Sequence, residues 1–124
     1  MKPAISEAET QVMEVLWAAS TPVAADAVAT RLQDRTEWQL STVKTLLGRL
    51  VSKGAVAAMP DGRRFLYAPL LQRQDWLAEQ SSGLLDRLFG GRLAPLVAQF
   101  ASTRRLSRED RAALEQLLKE QGDD

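Results

Sequence analysis

The chain contains no cysteine and no histidine. Without cysteine there is no disulfide framework, no thiol redox sensor and no thiolate nucleophile. A transition-metal site is left with carboxylates alone, a poor ligand set for zinc, copper or iron. Without histidine the usual proton shuttle of acid–base enzymes is missing. There is no phosphate-cradling glycine-rich loop and no clustered pair of carboxylates either. These absences argue against an enzyme and leave no candidate catalytic residue, metal site or cofactor. No run of about 18 apolar residues occurs, which excludes a membrane span. The opening Met1-Lys2-Pro3-Ala4 lacks an apolar signal stretch, so the expected location is the cytoplasm.

What is present is enough for a core. Hydrophobic residues make up 45% of 124 residues, enough for one small domain with an accessory segment. Net charge is zero, but its distribution is uneven. Residues 1–34 set Lys2 and Arg31 against five acids, a balance of −3. Residues 35–73 set seven bases against Glu37 and Asp61, a balance of +5. Residues 74–124 set seven bases against nine acids, a balance of −2. A basic middle between acidic flanks suggests a local surface for a polyanion.

The periodicity predicts three helices, then a hairpin, then three more helices. Ser6 and Glu9 form a capping box opening helix 1, with Val12, Val15, Leu16 and Ala19 at helical spacing. Ser20-Thr21-Pro22 ends it. Helix 2 covers roughly 25–33, with Val28 and Leu32 inward. Helix 3 is expected to start near Ser41 as N-cap, with Val43, Leu46, Leu47 and Leu50 on one face, continued by Val51, and Gly54 as its stop. Residues 55–59 and 63–69 read as two strands around Pro60-Asp61-Gly62. Helices follow over 74–89, ended by Gly90-Gly91, over 94–101, and from the cap Ser107 with Asp110 at its third position. Residues 121–124 are expected to fray.

Three helices and a hairpin is the winged helix-turn-helix order, so the expected fold is mainly α with a small β wing, plus a C-terminal helical dimerisation segment. The boundary is placed between 72 and 73. In that fold helix 3 enters the major groove and the wing reaches the flanking backbone. The candidate DNA-binding residues are therefore Ser41, Thr42, Lys44, Thr45, Arg49 and Lys53 on helix 3 and Arg63 and Arg64 on the wing. Hydroxyls and long cations are what base edges and phosphates need. Gly48 reads either as room for a close approach or as an unremarkable surface position. Trp17, Trp38 and Trp76 read as packing residues rather than a ligand box. Residues 84–106 hold Leu84, Leu85, Leu88, Phe89, Leu93, Leu96, Val97, Phe100 and Leu106, and Leu114, Leu117 and Leu118 form the narrow stripe of the last helix. Short helices this apolar cannot cover one another in about 50 residues. A second copy of the chain is the simplest cover, and packing back onto the winged helix is the alternative.

Particular stretches carry a family resemblance. Ile5-Ser6-Glu7-Ala8-Glu9 with Val12-Met13 and Leu16-Trp17, the block from Ser41 to Gly54, Phe65-Leu66-Tyr67-Ala68-Pro69, Leu88-Phe89-Gly90-Gly91 and Leu96-Val97-Ala98-Gln99-Phe100 together resemble the bacterial penicillinase-repressor family of the BlaI/MecI type. The resemblance spans about residues 4–120. It implies a homodimeric repressor of a palindromic DNA operator, with C-terminal helices exchanged in the dimer. It also implies relief of repression through a membrane-bound sensor protease pathway that leads to cleavage in the C-terminal segment, commonly at Asn-Phe. Here the matching pair is Gln99-Phe100, a departure that bears on the cut and on the inducing system. The copper-responsive relatives' cysteine cluster is missing. Ala24 stands where the family often has a polar cap, which implies a slightly less stable start to helix 2. The alternatives to a repressor are a winged-helix module for a protein partner and a small-ligand-gated regulator.

Overall fold

The computed structural model describes residues 3–122. The chain separates into two compact units, Met1–Ala78 and Glu79–Asp124. The first holds α1 (Glu7–Ala18), β1 (Val23–Ala24), α2 (Ala25–Leu32), α3 (Leu40–Ser52), β2 (Val56–Asp61) and β3 (Arg64–Pro69). The helix α4 (Arg73–Phe89) runs through the division, and α5 (Leu93–Thr103) and α6 (Arg108–Gln121) follow. This is a winged helix with C-terminal helices. The expected fraying concerns 121–124; α6 runs to Gln121, and residues 123–124 lie outside the described residues.

The capping box of α1 is complete. The Glu9 backbone N–H donates to Ser6 Oγ (3.1 Å), and the Ser6 N–H donates to Glu9 Oε1 (2.8 Å). Val12, Met13 and Leu16 of α1 meet Val28 and Leu32 of α2 and Val43, Leu46, Leu47 and Leu50 of α3 in one core. Those four α3 residues are the apolar stripe that helical spacing predicts, and all are buried. Val51 departs from the expectation: it lies one step off the stripe and is exposed. The start of α3 also differs. Gln39 is the N-cap and makes no side-chain capping bond, so Ser41 falls inside the first turn. Trp38, two residues before the helix, is half-buried against the core. The N-cap of α2 is Ala24, which makes no side-chain capping bond. Gly54 follows α3 at φ +80°, where a side chain would be strained.

The sheet has three strands, not two, in the order β1-β3-β2, all antiparallel. Val23 and Ala24 pair with Tyr67 and Leu66. Two residues just after a proline carry no legible strand pattern, so only the tertiary partner reveals β1. The hairpin turn sits one residue later than expected. Asp61 pairs with Arg64, leaving Gly62-Arg63 as a two-residue loop with Gly62 at φ +66°. Glycine at the first loop position is what a type II′ turn requires. Pro60 lies within β2, opposite Phe65, and is tolerated because β2 is an edge strand.

The start of α4 is pinned to the winged helix. Trp17 Nε1 donates to the Leu71 carbonyl (2.8 Å), and the Trp17 and Trp76 rings lie 5.4 Å apart, tilted by 40°. Arg73 Nε reaches Glu14 Oε1 at 3.0 Å. All three tryptophans pack against the core.

In the second unit no residue of α5 or α6, nor of the part of α4 it contains, is buried. Leu84, Leu85, Phe89, Leu96, Val97 and Leu114 are half-buried. Leu88, Leu93, Phe100, Leu117 and Leu118 are exposed large apolar side chains. Ser107 caps α6 by accepting from the Asp110 N–H (3.0 Å).

Candidate nucleic-acid interface

The buried stripe of α3 forces its other residues outward. Ser41, Thr42, Lys44, Thr45, Gly48, Arg49 and Ser52 are all exposed. Thr45 Oγ1 donates to the Ser41 carbonyl (3.0 Å), which leaves its lone pairs free to accept. The Lys44 and Arg49 side chains make no hydrogen bond or ion pair among the described residues, so their charges face solvent. A Cβ added to Gly48 meets nothing within 4 Å, so no packing inside the chain requires glycine there. The turn places Arg63 and Arg64 on the wing. Arg64 Nε pairs with Asp61 Oδ2 at 3.2 Å, both well exposed, a pair worth little in water.

The helix and the wing face each other across a groove. A cleft of about 480 Å³ is lined by Lys44 and Leu40 of α3, by Arg63 and Arg64 of the turn and wing, by Phe65 and Tyr67 of β3, and by Ala24, Ala25 and Asp26 at the start of α2. Three cations thus share one opening with a single carboxylate, Asp26, whose Oδ1 accepts from the Ala27 N–H (2.9 Å). This is the chemistry of a surface for a nucleic-acid strand: cations for phosphates, hydroxyls for base edges, and a helix width that fits the major groove.

Lys53 is placed differently from its neighbours. Its Nζ lies 2.5 Å from Glu9 Oε1 and donates to the Ala4 carbonyl (3.0 Å). Glu9 is 1% exposed, and among the described residues it is the one buried charged group. One carboxylate therefore both caps α1 and ties down the end of α3. Burial raises the pKa of Glu9, but the hydrogen bonds from Lys53 and Ser6 and the Lys53 charge outweigh it, and the net shift is downward from 4.5. A depressed folded-state pKa adds stability that is complete above the unfolded value and disappears as pH falls through the folded one. The stability difference between the natural chain and Glu9→Gln should accordingly be constant near neutrality and shrink below about pH 4.5. Urea unfolding of both between pH 7 and pH 2.5 checks this; a difference that grows on acidification would reverse the assignment.

Residues 5–120 match the family model described as penicillinase repressor. The chain belongs to the penicillinase repressor family. The penicillinase repressor of Bacillus licheniformis is 35% identical over 118 residues, covering 95% of this chain and 91% of that protein. The solution structure of the DNA-binding domain of the repressor BlaI superposes with a TM-score of 0.53 at 38% identity, covering 60% of this chain and 93% of that one. The monomeric form of Bacillus licheniformis BlaI in complex with the blaP half-operator gives 0.51 at 38% identity, with the same coverage. The family is one of transcriptional repressors, DNA-binding regulators and not enzymes. No helix among the described residues is long and apolar enough to cross a membrane.

Gln99 and Phe100 lie in α5 with both side chains exposed. The carbonyl of the Gln99-Phe100 bond accepts from Ser102 Oγ (2.8 Å), and the Arg104 guanidinium lies 5.6 Å from the Phe100 ring centre. Six residues of the groove escape sequence reasoning: Ala24, Ala25 and Asp26 at the start of α2, Leu40, which precedes the expected helix start, and Phe65 and Tyr67, which alternation alone places on a strand face. Glu9 reads from sequence as half of a capping box, and nothing in the local pattern signals its second partner 44 residues away.

Proposed function

We propose that this chain is a cytoplasmic, homodimeric transcriptional repressor that occupies a palindromic operator. Residues 1–72 serve as the DNA-binding domain and residues 73–124 as the dimerisation domain. Ser41, Thr42, Lys44, Thr45 and Arg49 work in the major groove, while Arg63 and Arg64 hold the flanking backbone. Lys53 acts through position: with its ammonium shared by Glu9 and Ala4, it sets the angle of α3. The open side of Gly48 leaves room for a sugar–phosphate strand. The observation that carries this reading is the convergence of Lys44, Arg63 and Arg64 on one groove beside an outward row of hydroxyls. The 38% identity to a BlaI monomer bound to a half-operator adds to it. Two-fold symmetry sets the half-sites about one helical turn apart, roughly 34–36 Å.

Exposed leucines on α5 and α6 support the dimer, since a lone copy leaves them in water. Relief of repression proceeds by proteolysis at Gln99-Phe100 at the end of a membrane-bound sensor pathway. The bond lies inside a helix with its carbonyl bonded, so the last turns of α5 must open before a protease can take it.

Fluorescence anisotropy with DNA from upstream of the chain's own gene, against excess unrelated DNA at two salt concentrations, tests the reading. Tight binding that survives competitor, with two protomers per site and a steep fall with salt, is the expected result. Lys44→Ala or Arg49→Ala should cost about 1–3 kcal/mol on the operator where the residue reads a base, and relax specificity there. Arg64→Ala should weaken all sequences alike and reduce the salt slope by about one. If none of the three changes binding, the DNA surface lies elsewhere.

A further inference from the structure

Leu40 and Phe65 are out of keeping with the face they occupy. Leu40 is 39% exposed and Phe65 is 50% exposed, yet both line the cleft that Lys44, Arg63 and Arg64 share with Tyr67 and the start of α2. Scattered exposed apolar residues are ordinary. Two large ones on different elements, facing one cleft between three cations, form an apolar floor inside a polyanion site.

Their positions narrow what the floor meets. Leu40 is the first residue of α3, and the N-terminal residues of a recognition helix are those that reach base edges. Phe65 sits on β3 next to Arg64, so wing and helix approach from two sides. Arg63 and Arg64 at the rim hold phosphates, which carry no sequence information. An apolar group at the edge of the major groove has one sequence-specific partner there, the C5 methyl of thymine; guanine, cytosine and adenine offer only donors and acceptors.

We infer that Leu40 and Phe65 form an apolar slot that reads a thymine methyl in the operator. The inference rests on the DNA-binding reading above and adds the base class that the hydroxyl and cation inventory does not supply. Contact with deoxyribose alone would make the floor indifferent to sequence. The methyl makes it discriminating, because uracil pairs identically and lacks only that group. Full burial of one methyl group is worth about a fourfold change in affinity.

The experiment uses the full chain. A binding site is first selected from a random duplex pool, and each thymine in it is then replaced singly by uracil. At one thymine per half-site, uracil should weaken binding of the natural chain about fourfold, and Leu40→Ala or Phe65→Ala should reduce that ratio to near one. Both side chains are exposed, so neither substitution threatens the fold. A selected site at which no uracil substitution matters, or which contains no thymine, overturns the slot and leaves DNA binding standing. A uracil effect that persists in both variants assigns the methyl to another group and equally overturns it. Recovery of no preferred site removes the DNA-binding reading, and the slot with it.

Discussion

With Leu117→Asp and Leu118→Asp together, the chain should sediment as a monomer and its operator affinity should fall by about 100- to 10,000-fold. In the proposed dimer the second half-site is bound within an already tethered complex, and losing the tether loses that factor without touching a DNA contact. The two leucines are well suited to the test. Leu117 is 53% exposed and Leu118 70% exposed, so a charge there costs the single copy little. Both line an apolar cleft of about 870 Å³ with Leu93, Val97 and Leu114. Burial of a leucine side chain contributes about 1.5–3 kcal/mol, and a carboxylate in the same place must be desolvated unpaired. Half-buried Leu96 is less clean, because aspartate there also perturbs the cleft it shares with Phe100, Leu106 and Leu114. Analytical ultracentrifugation gives the oligomeric state, and anisotropy on full and half operators gives the affinity loss. Half-operator binding should be unchanged. A dimer that survives the double substitution sinks the assignment of this face.

Lys53→Met should be the most damaging single change at the surface of the DNA-binding unit. It leaves Glu9 buried without its cation, and an orphaned buried charge costs several kcal/mol. Lys53 keeps about a third of its side chain in water, so screening reduces the cost to about 2–3 kcal/mol. Adding Glu9→Gln to Lys53→Met should recover most of that loss, since a neutral amide still accepts from the Ser6 N–H. Chemical denaturation of the two single variants and the double variant measures the coupling between them. Additive losses would mean that the pair is incidental. Operator binding separates position from charge: Glu9→Gln keeps the Lys53 ammonium but loosens its tether, so it should weaken binding if Lys53 acts by setting α3 and leave binding unchanged if the charge itself meets the DNA.

Much of this was legible in the chain itself, for local reasons. The α3 stripe of Val43, Leu46, Leu47 and Leu50 is a period-3.6 pattern, and burying it fixes which residues face out. That is why the sequence alone puts Thr42, Lys44 and Arg49 on one outward surface. Ser6 and Glu9, Ser107 and Asp110, and Gly54 marked helix ends because a cap is a bond between neighbours in sequence. Asp61-Gly62 marked the hairpin, though the turn fell one residue later because the register places Asp61 opposite Arg64.

Local pattern does not carry contacts between distant segments. The strand β1 exists only because Val23 and Ala24 meet Tyr67 and Leu66. Glu9 and Lys53 are 44 residues apart, and each has a sufficient local explanation as a cap or a solvated cation. Leu40 and Phe65 are ordinary apolar residues in their own elements and become a slot only where α3 and β3 converge. By itself the sequence determined the helices, the hairpin and the outward cations of α3, because period and capping are set by near neighbours. Tertiary structure alone decided the third strand, the clamp on α3 and the apolar floor of the groove, because each is made by chain segments that only packing brings together.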